Sequence, residues 1–234
     1  MNRIKYMRWL RVLYCIVIIV SLFWAITYKK EGVWETAADA QEKNIVAEKK
    51  KIAITFDDGP HEIYTPELLD GLKKRGVKAT FFLIGKNIEK NDNHQIVRRM
   101  KEEGHLIGNH TYNHVEISKV DNSTALRELN HTSEIIYQIT GERVEYMRPP
   151  FGVWQKSLEK EVCLIPVMWT VDPLDWTTAN MYEIVNKVVT EIKENDIILL
   201  HDCYESSVRA ALQIIDILTE EGYEFVTVEE LILE

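Results

Sequence analysis

Five short stretches of this chain carry groups that could do chemistry, and each follows an apolar run. Thr55-Phe-Asp57-Asp58-Gly-Pro60 sets two carboxylates side by side. Alone, that string is turn vocabulary, because Asp, Gly and Pro all favour tight turns. His110-Thr-Tyr-Asn-His114 spaces two imidazoles four residues apart, so on one helical turn they would point the same way and could share a metal. One Asp with two His is a three-ligand set suited to catalytic zinc, with a position left for water, although other divalent metals also fit it. One of the adjacent carboxylates would then bind the metal. The other, facing a water whose pKa zinc brings to about 7, would act as base. Arg148-Pro-Pro-Phe151-Gly152 puts a guanidinium on a rigid loop, Asp172-Pro-Leu-Asp175-Trp176 adds two carboxylates, and Leu199-Leu-His201-Asp202 ends an apolar run with a histidine. Taken singly, these last three read as a surface ion pair, a turn and a capped strand end. His61, His94 and His131 have no comparable partner and read as solvated.

These groups need elements to position them. Apolar runs predict strands over 51–56, 79–84, 105–108, 144–147, 164–170, 197–200 and 224–228. Between them, helical spacing predicts helices over 65–75, 94–103, 124–139, 180–193 and 206–221, with a short helix at the C-terminus. Thr65 is expected to cap the first helix, Pro66 to open it and Gly76 to stop it. Such alternation means a mainly parallel α/β sheet. Every motif comes just after a strand's C-terminal end. An open doubly wound sheet gathers such ends only at its switch point, whereas a barrel gathers them around one mouth. The expected fold is therefore α/β, a distorted, incomplete (β/α) barrel of about seven strands.

The first thirty residues read differently. Residues 12–26 are apolar and, with Trp9, Leu10 and the flanking aromatics, approach the roughly 20 residues that span a bilayer as a helix. Arg3, Lys5, Arg8 and Arg11 before the run place the N-terminus in the cytoplasm and the rest of the chain outside. The expected organisation is a cytoplasmic tail over 1–8, a transmembrane signal anchor over 9–28, a linker over 29–50 and one domain over 51–234. A cleaved signal peptide is the rival, but Ala38-Asp39-Ala40 lies far beyond the apolar run. Residues 1–30 hold six basic and no acidic residues, so the remainder carries 22 basic against 37 acidic. That charge speaks against nucleic acid and strongly anionic polymers as partners, and is compatible with a neutral glycan. Nothing in the sequence sets an oligomeric state. Of three cysteines, Cys163 and Cys203 could pair but read better as two small buried thiols.

Taken together, TFDDGP, HTYNH, RPPFG, DPLDW and LLHD resemble, in that order, the polysaccharide deacetylase (NodB-homology) family, carbohydrate esterase family 4, over residues 50–230. The resemblance implies a distorted (β/α) barrel and metal-dependent removal of acetyl groups from a glycan. It implies that Asp57 is the base, that Asp58, His110 and His114 bind the metal, and that Arg148 orients Asp57. Asp175 would tune His201 as the acid that protonates the leaving amine, and the Phe151 N–H would stabilise the oxyanion. The family often has Tyr where Phe151 stands; a backbone donor survives that change, a hydroxyl role does not. Trp176 and Leu199 would wall a pocket for the acetyl methyl, and Trp154 would stack on a sugar or sit in the core. The implied substrate is an N-acetylated amino-sugar polymer, with peptidoglycan favoured because a short tether outside the membrane keeps the domain near a wall. Chitin-type oligomers and exopolysaccharide are alternatives. A glycosidase using Asp57 with Asp175 would leave His110, His114 and Arg148 idle, and a non-catalytic carbohydrate-binding domain would show losses among these groups, of which there are none.

Overall fold

The structure is a computed structural model that describes residues 17–24, 49–91 and 93–233. The chain divides into two units, 1–48 and 49–234. In the first, residues 17–24 are helical and exposed. Among the described residues no helix is long and apolar enough to cross a membrane. The anchor expected over 9–28 lies, except for 17–24, outside the described residues.

The second unit is a curled sheet of seven parallel strands. They are β1 (Lys50–Asp57), β2 (Thr80–Leu83), β3 (Leu106–Asn109), β4 (Tyr146–Met147), β5 (Ile165–Pro166), β6 (Ile197–His201) and β7 (Tyr223–Val226). Their order is β5-β4-β3-β2-β1-β6, with β7 paired to the start of β1. The sheet's two edges meet through one segment. Val167 N–H donates to Met147 O beside β5, and four residues on, Val171 bridges in parallel to Ile198 of β6. This is the distorted barrel expected, with β4 and β5 each cut to two residues.

Alternation along the strands separates two cores. Ile52, Ile54 and Phe56 of β1, Phe81 and Leu83 of β2, and Ile198 and Leu200 of β6 face outward into the main apolar cluster. Helices α1 (Tyr64–Arg75), α2 (Gly85–Ile88), α3 (Asn93–Glu102), α4 (Asn122–Thr140), α5 (Met181–Glu191) and α6 (Glu205–Glu220) lie among the strands in the chain. The main cluster takes Leu68, Leu69 and Leu72 from α1, Ile184 and Val188 from α5, and Val208, Ile215 and Leu218 from α6. The opposite face holds a small cluster of Ala53, Phe82, Tyr146, Val167 and Val228. Val228 opens α7 (Val228–Ile232), whose start is held by a Thr227–Glu230 capping box. Thr55 and Asp57, in phase with Ala53, are the buried polar residues that β1 adds to that inner face.

One expected cap is replaced. Helix α1 begins at Tyr64, and its first N–H groups are taken by His61, whose Nδ1 accepts from Ile63 and Tyr64 N–H at 3.2 and 3.3 Å. Thr65 does not cap: its hydroxyl is diverted to Asp202. The two cysteines in the described residues are free; Cys163 is exposed and Cys203 half-buried, so the expectation of two buried thiols is corrected.

Candidate active site

Register brings the first pair together. On β1, Asp57 lies opposite Phe82 of β2 and His201 of β6, so the base candidate and the acid candidate end neighbouring strands. Between them and the barrel floor sits Arg148, with no exposed surface. It is no surface ion pair. Its Nη1 donates to Asp57 Oδ1 at 2.8 Å and Thr55 Oγ1 at 2.7 Å, and Nε and Nη2 donate to the carbonyls of Val167 and Met168. The guanidinium also lies 4.4 Å from the Phe82 ring centroid and 5.6 Å from that of Trp169. This arrangement fixes Asp57 with Oδ2 toward the mouth, 3.8 Å from His110 Nε2.

Asp58 follows on a backbone with φ 71°, in the left-handed region, and its carboxylate reaches the same mouth. Its Oδ1 is buried without a hydrogen-bond partner, 3.4 Å from His110 Nε2 and 3.3 Å from His114 Nε2. The two histidines do not share a helical turn, as their spacing had suggested. They converge on a loop in which Thr111 and His114 both take left-handed φ, at 63° and 59°. Asn109 steadies that loop by accepting from Thr111 N–H at 2.8 Å. His110 Nδ1 donates to Arg148 O at 2.6 Å, which leaves Nε2 with a bare lone pair.

Three possible ligand atoms thus gather in one place, all within 4.8 Å of one another. Unscreened lone pairs at that spacing ask for a cation, so the residues fit a divalent metal. The protonation states agree. Burial pushes the Asp58 carboxyl up, but the imidazoles of His110, His114 and His201 outweigh it and hold it below its ordinary value. Burial lowers His114 against the pull of Asp58, favouring the neutral ligand form.

On the other side, His201 Nδ1 donates to Asp175 Oδ1 at 2.8 Å, and its backbone N–H donates to Asp175 Oδ2 at 2.8 Å. Burial works against its charge. The Asp175 hydrogen bond, with the negative charges of Asp175, Asp57 and Asp58, overcomes this and raises it to about 9. Its Nε2 stands 4.0 Å from Asp58 Oδ2.

These groups open into a cavity of about 400 Å³ that also includes Phe151, Trp176 and Leu199. Phe151 has φ 61° and its ring meets His114 edge-on at 4.9 Å. Trp154 is not there: it is half-buried against the Met147–Leu158 cluster, as its core reading expects. His131 and His94 are exposed, whereas His61 is half-buried, stacked on Tyr64. Asp172, from the DPLDW stretch, also lines the cavity; sequence reasoning missed Trp169 and Tyr204 as cavity residues, and Thr55 as the second acceptor for Arg148. Proximity in sequence to motif residues was the only signal for them.

The polysaccharide deacetylase family model matches residues 44–165. A peptidoglycan-N-acetylmuramic acid deacetylase of Bacillus subtilis is 38% identical over 82% of this chain and 40% of its own length. A peptidoglycan-N-acetylglucosamine deacetylase of Listeria monocytogenes is 36% identical over 78% of this chain and 39% of its own length. The chain thus spans about two fifths of the length of these two relatives. The solved structure of a peptidoglycan deacetylase from Bacillus subtilis superposes with a TM-score of 0.76 at 38% identity, covering 78% of this chain and 90% of that one.

Proposed function

We propose, from the premise that this chain belongs to the polysaccharide deacetylase family, that it hydrolyses acetyl groups from N-acetylated amino sugars of peptidoglycan in a metal-dependent reaction. One observation carries this reading. The partnerless Asp58 Oδ1 and the Nε2 atoms of His110 and His114 gather beside a carboxylate fixed by Arg148 and an imidazole fixed by Asp175. Zinc is the favoured ion for a His₂Asp set with an open position. Bound there, a divalent ion supplies Lewis acidity toward the acetyl carbonyl and lowers the pKa of water to about 7.

This chain's residues would do the rest. Asp57, with Oδ1 taken by Arg148, has Oδ2 free to accept a proton from the attacking water. His201, protonated through Asp175, hands its proton to the departing amine. Phe151, Trp176 and Leu199 line the cavity; the Phe151 N–H would stabilise charge developing on the acetyl oxygen, and Trp176 and Leu199 would wall the methyl. A glycosidase using Asp57 and Asp175 is disfavoured, because Asp175 spends both oxygens on His201. A chitin-type or exopolysaccharide glycan remains the second substrate reading. We further propose that the apolar run over 9–28 anchors the chain, with its domain outside the membrane.

The test is acetate release. Full-length protein sedimenting with membranes should release acetate from N-acetylglucosamine polymer and leave free amines, without new reducing ends. A chelator should abolish this and zinc should restore it. Reducing ends without acetate, or full activity in a metal-free sample, would refute the reading.

The His201–Asp175 pair gives a pH prediction. A raised pKa means that the acid form is kept below about 9 and lost as pH rises through it. Asp175→Asn removes an opposite charge at hydrogen-bond distance, an effect worth about 1–3 pH units. The alkaline limb of the pH–rate profile should therefore move downward by that order. An unmoved limb would mean that another group sets it.

A further inference from the structure

Asp202 has no part in the chemistry above, yet it touches both loops that carry it. It follows His201 directly and is wholly buried. Its Oδ2 accepts from Thr65 Oγ1 at 2.5 Å, and that hydroxyl accepts in turn from His61 N–H at 2.8 Å. Its Oδ1 is buried without a partner. Both oxygens press on Gly59, where an added Cβ would stand 2.5 Å from each. Only glycine therefore lets the loop after β1 close on this carboxylate. On the side of α2, the same loop is held by Ile84 N–H donating to Gly59 O at 3.0 Å and Asn87 Nδ2 donating to Asp58 O at 2.8 Å. From the side of β6, Asp202 supplies the hold, through Thr65 at the start of α1 and its bond from His61 N–H. A polar side chain buried with one oxygen unmatched is costly, so a packing role alone would be better served by an apolar residue.

We propose that Asp202 and Thr65 form a buried clasp between the loops after β1 and β6, which makes Asp202 a positioning residue that sets Asp58 against the imidazoles. This rests on the metal-dependent reading above. Gly59 lies between the clasp and Asp58 in the chain, so loosening the clasp leaves the Asp58 backbone held only from α2. The Asp58 carboxylate then spreads over positions that fit the ion less well, and His201, next to Asp202, loses its fixed distance from it.

Thr65→Val keeps the shape of this buried side chain and removes both the donor to Asp202 and the acceptor for His61 N–H; Thr65→Ser keeps both. Both variants and the wild type, full-length, are compared for zinc affinity by chelator competition, for kcat and KM of acetate release, and for Tm. Thr65→Val should lose roughly tenfold in zinc affinity, the order seen for outer-shell partners of metal ligands. Its kcat should fall more than its KM rises, and Thr65→Ser should restore both. Adding Asp202→Ala to Thr65→Val should cost little more zinc affinity, because one clasp cannot be opened twice. A Thr65→Val protein with wild-type zinc affinity and kcat, and only a lowered Tm, would overturn the clasp and leave the function intact. A wild type that bound no zinc and released no acetate would overturn both.

Discussion

Asp57→Asn is expected to keep its metal and lose about 10²–10⁴-fold in rate, the usual contribution of a general base. Asp58→Asn is expected to lose the metal itself. The two carboxylates are neighbours in the chain but have different surroundings. Asp57 Oδ1 is held by Arg148, and an amide oxygen can take the same hydrogen bond without moving the loop. The three ligand atoms stay where they are; what disappears is the proton acceptor at the position of Oδ2. Asp58 Oδ1 is itself one of the three atoms, lying 3.4 and 3.3 Å from the two imidazole nitrogens. Replacing its charge with an amide weakens the hold on a cation, and excess ion can offset that by mass action. Metal content and acetate release measured across a zinc titration separate the two variants. High zinc should recover part of the Asp58→Asn activity and none of the Asp57→Asn loss. Rescue of Asp57→Asn by zinc would reverse the two roles.

The parts of this site that were legible in the sequence sit at the ends of strands with strong apolar signals. β1, β2 and β6 could be read because their outward residues, such as Ile54, Phe81 and Leu200, are apolar and bounded by turn residues. Those boundaries put Asp57 and His201 at one mouth. What failed was local backbone geometry. The four-residue spacing of His110 and His114 suggested a helical turn, but left-handed φ at Thr111 and His114 brings the rings together instead. Non-glycine residues at positive φ are uncommon, so sequence rarely signals them. Thr65 looked like a cap because its type and position suit one; a buried acceptor 137 residues away took its hydroxyl. β4 and β5, at two residues each, were too short for alternation to define their ends. The burial of Arg148 had no sequence signal either, since its partners Thr55, Val167 and Met168 come from other strands or segments.

That burial gives the largest expected stability effect. Arg148→Met should cost about 3–5 kcal/mol, the range for breaking a buried ion pair by removing one partner. Methionine fills much of the volume between Phe82 and Trp169, so the cavity left is small. The loss comes from what the guanidinium was satisfying: the buried carboxylate of Asp57 at 2.8 Å and the carbonyls of Val167 and Met168. Arg148→Lys should fall between, because an ammonium keeps the charge but cannot spread donors over Asp57, Thr55 and two carbonyls from one plane. Asp57→Asn introduced into Arg148→Met makes the cause measurable. If the uncompensated carboxylate dominates, the double variant should be more stable than Arg148→Met alone, since no bare charge is left inside. Urea unfolding of the wild type, both single variants and the double variant closes the cycle. Strictly additive losses would show that Arg148 acts through packing on the two rings and its carbonyl bonds, and that Asp57 does not need its partner to stay in the barrel mouth.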